Sequence, residues 1–318
     1  MNPDDSTITR KRPLLFIGGT GRSGTHVLSA LLENHSRYAR VPIEARFHVN
    51  PVGFPDLLAG EATPRQFVYK LQKFWWRRIR AGEVAPVIAQ RLAMGRKVRG
   101  LHKVMSREQF DRAVARFEAS HGDGLEAACR ELYYDLLWPI AIEAGKPELI
   151  EMSCFTIAAG PTLNRIFPDA KLIHIVRDGR DAGSSKVAKR QKRDHPKDGW
   201  EGVRWWEGRL RKIESGVRET RPESLHVVSL DELVAGRREA SYQGVLRFLE
   251  IADEPAMRNY FESEMNAGAA HKERWRSGLT EGQQASLEAT YVETLGRLEA
   301  EGFHCASILR GAYEHRPA

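Results

Sequence analysis

The segment Gly19-Thr20-Gly21-Arg22-Ser23-Gly24-Thr25-His26 follows the apolar run Leu14-Leu15-Phe16-Ile17 and precedes a stretch with helical spacing. A glycine-bearing turn between a strand and a helix can aim backbone N–H groups and the positive end of the helix at a phosphate. The ATP-binding version of such a turn reads G-x-x-x-x-G-K-[ST]. Gly19 and Gly24 keep its spacing, but Thr25 stands where that motif has lysine, and the basic residue comes earlier, at Arg22. The displacement favours a nucleotide other than ATP and a reaction with no metal requirement. Gly21, Arg22, Ser23, Gly24, Thr25 and His26 are the candidates to hold that nucleotide.

A second cluster reads Arg177-Asp178-Gly179-Arg180-Asp181-Ala182-Gly183-Ser184-Ser185, with Lys189 further on. Arg177 falls at the C-terminal end of a strand-like run. Ser185 is expected two turns into the next segment, and Lys189 one turn beyond on the same helix face. A guanidinium, a hydroxyl and an ammonium converging there would bind a second phosphate. A third candidate is Glu44 in Pro42-Ile43-Glu44-Ala45-Arg46. Its carboxylate can take a proton from an acceptor. The plainer reading is a surface Glu–Arg pair worth about 0–1 kcal/mol.

Four short apolar runs read as buried strands: Pro13–Gly18, Leu149–Met152, Lys171–Val176 and Leu225–Leu230. Helical patterns cover Ser23–Glu33, Pro161–Phe167, Trp200–Val217, Gly236–Leu249 and Thr280–Glu301. Strand–helix alternation predicts an α/β fold with a parallel sheet covered on both faces. Ligands in such folds bind beyond the C-terminal ends of the strands, where both glycine-bearing turns lie. The chain reads as one domain over residues 1–318. Within it, 51–147 carries little strand signal and is expected to be a helical insertion covering the site. Phe67–Arg80 mixes Phe67, Tyr69, Phe74, Trp75 and Trp76 with five cations. An amphipathic helix packing its aromatics inward is the plain account; a membrane-surface or nucleic-acid face is the other.

The 318 residues are 42% apolar, enough for a substantial core. No apolar run reaches the ~18 residues of a membrane span. Residues 1–12 are polar, show no secretory core, and read as a disordered lead-in. A net charge of +7 is compatible with an anionic ligand or acceptor. Cys129, Cys154 and Cys305 are too scattered for a disulfide framework or a zinc site, which predicts a reducing cytoplasm. The eleven histidines show no His-x-x-x-His or similar pairing, so no metal is expected.

Thr20-Gly21-Arg22-Ser23-Gly24-Thr25 resembles the 5′-phosphosulfate loop of sulfotransferases that use 3′-phosphoadenylyl sulfate (PAPS). Ile166-Phe167-Pro168-Asp169-Ala170-Lys171 through Arg177-Asp178-Gly179-Arg180, with Ser185 eight residues after Arg177, resembles their 3′-phosphate motif. The likeness is to the tyrosylprotein and Golgi-type branch. It runs over roughly residues 13–305 and is patchy between 51 and 147. It implies a P-loop-like three-layer fold and sulfuryl transfer from PAPS to a hydroxyl or phenol, with adenosine 3′,5′-bisphosphate as product and no metal. By the same resemblance Glu44 is the base, Arg46 orients it or stabilises charge, Arg22 serves the leaving side, and Arg274 beside Trp275 reaches phosphate. The chain departs from the family at His26, which replaces a Thr or Ser and is a competing base. It departs also at Met152, where relatives often carry Lys, a loss that Lys103 could make good, and at Leu230-Asp231, which replaces Tyr-Glu. A P-loop kinase, a basic nucleic-acid-binding protein and a catalytically silent nucleotide binder are the competing readings, although no nucleic-acid partner is expected. The acceptor (small molecule, sugar or peptide) and the oligomeric state are open at this level.

Overall fold

The computed structural model describes residues 12–80, 83–84, 98–189 and 195–315; the polar lead-in over 1–11 lies outside them. Five strands form one sheet: β1 (Leu14–Gly18), β2 (Tyr38–Arg40), β3 (Glu148–Glu151), β4 (Lys171–Val176) and β5 (Leu225–Ser229). Their order is β2-β3-β1-β4-β5, and every neighbouring pair is parallel. The order places β1 in the centre, so the loop that follows it opens in the middle of the sheet's C-terminal edge.

Residues along β1 alternate between faces, as the two-residue period requires. Leu14 and Phe16 join one core, Leu15 and Ile17 the other. The helices that follow are α1 (Thr25–Glu33), α2 (Arg107–Ser120), α3 (Leu125–Glu143), α4 (Gly160–Ile166), α5 (Gly179–Val187), α6 (Gly199–Glu219), α7 (Arg238–Leu249) and α8 (Glu281–Ala300). On the Phe16 face lie Phe110 and Phe117 of α2, Leu132 and Tyr133 of α3, Leu163 of α4 and Ile213 of α6. On the Ile17 face lie Leu28 and Leu31 of α1 and Tyr242 and Val245 of α7. A fully buried phenylalanine such as Phe16 contributes roughly 1.5–3 kcal/mol by leaving water. The result is a three-layer α/β sandwich of the P-loop-like kind. A third core, with Val176, Trp206, Trp275 and Tyr291, closes the end where α5, α6 and α8 meet.

The four strands and five helices expected from the pattern are present, with ends shifted by one or two residues. The edge strand β2 is an addition. The segment 51–147 supplies α2 and α3 to one face of the sheet, but it also holds a short antiparallel pair, Arg78–Arg80 with Glu83–Val84. Phe67–Arg80 is therefore not one helix. The helix Pro64–Lys70 passes into a single wide turn, Leu71–Trp75, and then into that strand. Arg78 bridges Arg99 across both backbone directions, a pairing at long range that local periodicity does not register. Phe67 and Trp75 do turn inward, as the amphipathic reading expects.

Candidate active site

The turn after β1 is shaped by close approach and by positive φ. A Cβ on Gly19 would stand 2.3 Å from Ser23 Oγ and 2.4 Å from the carbonyl oxygen of Ile175, so only glycine fits. Gly21 (φ 81°), Arg22 (φ 65°) and Gly24 (φ 103°) are left-handed. Left-handed residues in such a turn point successive N–H groups to one side and make a concavity for an anion. α1 then begins at Thr25 with Gly24 as its cap and no side chain bonded to its first amides. Those amides remain available, at the positive end of the helix. Ser23 is fully buried and its Oγ has no hydrogen-bond partner among the described residues.

The second cluster meets this turn directly. Arg22 Nε donates to Ser185 Oγ at 2.9 Å. Arg177 is buried at the end of β4, and donates from Nη1 to the Arg22 carbonyl at 3.3 Å and from Nη2 to the Ala270 carbonyl at 2.6 Å. Its Nε has no hydrogen-bond partner among the described residues. Asp181 Oδ2 accepts from the Glu273 amide at 2.8 Å and Oδ1 from the Trp275 amide at 3.3 Å, which fixes the short turn Arg274–Arg276 against α5. Burial, then the charges of Arg177 and Arg274, hold Arg22 below its ordinary pKa. Lys189 is lowered first by Arg22, then by burial. Like charges gathered in this way favour an anion between them.

One expectation needs correction. α5 ends at Val187, so Lys189 is not on the helix face of Ser185 but just past the helix end, on an exposed turn. It stays within electrostatic reach of Arg22 and Glu44.

Glu44 lies beyond β2, at the same edge of the sheet. Its Oε2 pairs with Arg46 Nη2, its Oε1 accepts from Cys154 Sγ at 3.3 Å, and His26 Nε2 stands 3.9 Å from Oε1. Burial lowers the pKa of His26, with Glu44 opposing that effect. Burial, then Glu44, pushes the Cys154 thiol up to about 12. Arg22 and Glu44 feel each other's charge. The structure thus brings Gly21, Arg22, Ser23, Gly24, Thr25, His26, Glu44, Arg46, Arg177, Ser185, Lys189 and Arg274 to one end of the sheet. Met152 is buried under α1, accepting from Ser29 Oγ at 2.9 Å. Lys103 is exposed in the turn Leu101–Lys103 and enters none of these contacts. Leu230 packs against Gly24, and Asp231 accepts from the Asp178 amide at 2.7 Å.

Several residues here escaped the sequence reading. Cys154 follows β3, a strand end, and that position alone was a signal. Arg78 is 3% exposed, donates to the Glu44 carbonyl at 3.4 Å, and is lowered to about 10 by burial and by Arg46. Arg209 of α6 lies over Phe155 at 4.2 Å and is lowered by burial. Neither arginine sits in a motif. Among the described residues no group of three or more His, Cys, Asp or Glu is placed to hold a metal, and no helix is long and apolar enough to cross a membrane.

Comparison with known proteins bears on the family and the fold. Over 183 residues, 56% of this chain, it is 26% identical to protein-tyrosine sulfotransferase 1 of Homo sapiens. Over 189 residues, 58% of the chain, it is 25% identical to that of Rattus norvegicus. The matched part spans only 35% and 36% of those relatives. The sulfotransferase domain from the curacin biosynthetic pathway shares the fold, with a TM-score of 0.51 at 14% identity, covering 91% of this chain and 98% of that one. Residues 13–255, from β1 through α7, match the sulfotransferase family, and the chain belongs to it.

Proposed function

We propose that this sulfotransferase uses PAPS as donor and a hydroxyl or phenol as acceptor, with Glu44 as general base. The observation that carries this reading is the Arg22–Ser185 contact, which joins two anion-binding loops while Glu44 stands beside them. PAPS needs two such loops, one for the 5′-phosphosulfate and one for the 3′-phosphate. The residues fit it: a left-handed turn, an uncapped helix N-terminus, a buried Ser23 hydroxyl and an Arg177 Nε both lacking partners, and mutually repelling cations.

When bound, PAPS supplies the sulfuryl group. Gly21 to His26 would hold its phosphosulfate; Arg177, Ser185, Lys189 and Arg274 its 3′-phosphate. Glu44 is placed to take the acceptor proton, and Arg46 holds that carboxylate in one orientation. Arg22, reaching from the turn toward both loops, stabilises charge on the leaving side. The phenol arm draws support from the relatives named for tyrosine. We also propose a reducing, cytoplasmic setting, in keeping with Cys129, Cys154 and Cys305 all being free. Residues 51–147 are proposed to border the acceptor, on the strength of the Arg78–Glu44 contact.

Calorimetry with adenosine 3′,5′-bisphosphate, AMP and ATP tests the donor. The bisphosphate is expected to bind at least tenfold more tightly than AMP, since a charge-assisted contact contributes about 1.5–3 kcal/mol. Labelled PAPS with tyrosine peptides and simple phenols then tests transfer. Equal affinity for the bisphosphate and AMP would overturn the reading.

A further inference from the structure

The short run Glu44–His48 is wrapped around a single buried carboxylate. Glu151, at the end of β3, is 1% exposed. Its Oε1 accepts from the Ala45 amide at 3.1 Å and from Ser153 Oγ at 2.5 Å. Its Oε2 accepts from the Ser153 amide at 3.0 Å, and His48 Nε2, fully buried, lies 3.2 Å away. Ser153 Oγ, while donating to Glu151, accepts from the Arg46 amide at 3.0 Å.

Arg46 makes the arrangement more than packing. It is a non-glycine residue held at φ 61°, in the left-handed region, where side chains other than glycine and asparagine are disfavoured. Such a conformation persists only where the surroundings over-determine it. Here the surroundings are the Glu151 carboxylate, gripping the residue before, and the Ser153 hydroxyl, gripping the Arg46 amide itself. The left-handed turn is also what allows the Arg46 guanidinium to fold back onto Glu44, two residues earlier.

We propose that Glu151 and Ser153 are positioning residues for the base: through Ala45 and Arg46 they fix the turn that presents Glu44. The proposal rests on Glu44 being the base, as argued above. Among the described residues neither side chain is hydrogen-bonded to the turn Gly19–His26, which the same segment meets only through the Cys154 carbonyl, accepting from the Gly19 amide at 3.0 Å. Met152, between them, points the other way, into the core beneath α1, as alternation along the chain requires.

Cys154 gives a readout that needs no acceptor, because its thiol donates to Glu44 Oε1 and reports where that carboxylate is. Alkylation of Cys154 by iodoacetamide at pH 8, followed by mass spectrometry of its peptide, should be several-fold faster in Glu44→Gln, up to about tenfold for one unit of thiol pKa. Ser153→Ala should label as fast as Glu44→Gln, and Ser153→Thr, which keeps the hydroxyl, at the unmodified rate. The double variant should label no faster than Glu44→Gln alone. Affinity for adenosine 3′,5′-bisphosphate should be unchanged in both Ser153 variants. Glu151→Gln should behave as Ser153→Ala if it folds. Fast labelling of Glu44→Gln with normal labelling of Ser153→Ala overturns the positioning role and leaves the base assignment standing. Additive labelling in the double variant, or a nucleotide affinity that falls in Ser153→Ala, also overturns it, since the residue would then act on the fold at large. A normal transfer rate in Glu44→Gln, measured separately with labelled PAPS, sinks the base assignment instead.

Discussion

Arg22 Nε and Ser185 Oγ meet at 2.9 Å although 163 positions separate them in the chain. The contact spans from the turn after β1 to the last turn of α5, and the Arg22 carbonyl is bonded in turn by Arg177. The turn after β1 and the start of the chain beyond β4 are therefore built as one unit, and each constrains the other.

That coupling can be measured. Arg22→Ala and Ser185→Ala should each weaken binding of adenosine 3′,5′-bisphosphate, and the double variant should lose less than the sum. Residues in direct contact typically couple by about 0.5–3 kcal/mol. Calorimetry on the four proteins checks it; strict additivity would mean that the contact plays no part in binding.

Gly19→Ala should be more damaging to the nucleotide site than its size suggests. The added methyl would meet Ser23 Oγ at 2.3 Å and the Ile175 carbonyl at 2.4 Å, and the second of these is backbone in the middle of the sheet. The turn must open, and the amides it aims must disperse. At least a tenfold loss of bisphosphate affinity is expected, with a lower Tm. A Gly19→Ala protein that binds normally would show that the turn is not the anion site.

How much of this was legible in the residues follows from burial. Four strands could be read because a parallel strand covered on both faces is apolar along its whole length, as in Leu14-Leu15-Phe16-Ile17. β2 could not, since Tyr38-Ala39-Arg40 is three residues at the sheet edge with no apolar run. The turn residues of the site stood out because glycine and arginine at fixed spacing are uncommon without a reason. Glu151 did not, because a carboxylate in sequence resembles any surface acid. Only the fold shows it sealed from water, with the Ala45 amide, the Ser153 amide and the Ser153 hydroxyl donating to it and a histidine 3.2 Å away. Lys189 was placed by helical arithmetic on a helix that stops at Val187.

His174 sets an acid limit on stability. It lies on β4, fully buried, with neither ring nitrogen bonded, and burial lowers its pKa to about 4. A group whose folded value is depressed stabilises the fold above its unfolded value and loses that contribution as pH falls. The window runs from about 6.5 down to about 4, and the loss amounts to roughly 3 kcal/mol at 1.36 kcal/mol per unit. Urea unfolding at pH 7 and pH 4.5 should show a steeper loss in the unmodified protein than in His174→Leu. Parallel pH curves for the two proteins would show that His174 carries none of it.

The base itself is the remaining choice, between Glu44 and His26. Both stand beside the turn after β1, with His26 Nε2 3.9 Å from Glu44 Oε1, and burial lowers the pKa of His26, which favours the neutral ring that can accept a proton. Geometry favours Glu44. Its side chain is 16% exposed and fixed by Arg46 and Cys154, whereas that of His26 is 62% exposed and free to turn toward solvent. A base must be held within hydrogen-bond reach of the proton it removes, so the fixed group is the better candidate. Glu44→Gln keeps the shape and should slow single-turnover transfer from labelled PAPS by about 10²–10⁴, the usual cost of losing a general base. His26→Thr should be the milder change, and bisphosphate affinity should change little in Glu44→Gln, because Arg22, Ser23, Gly24, Thr25, Arg177 and Ser185 remain. Near-normal transfer in Glu44→Gln together with none in His26→Thr would reassign the role to the histidine.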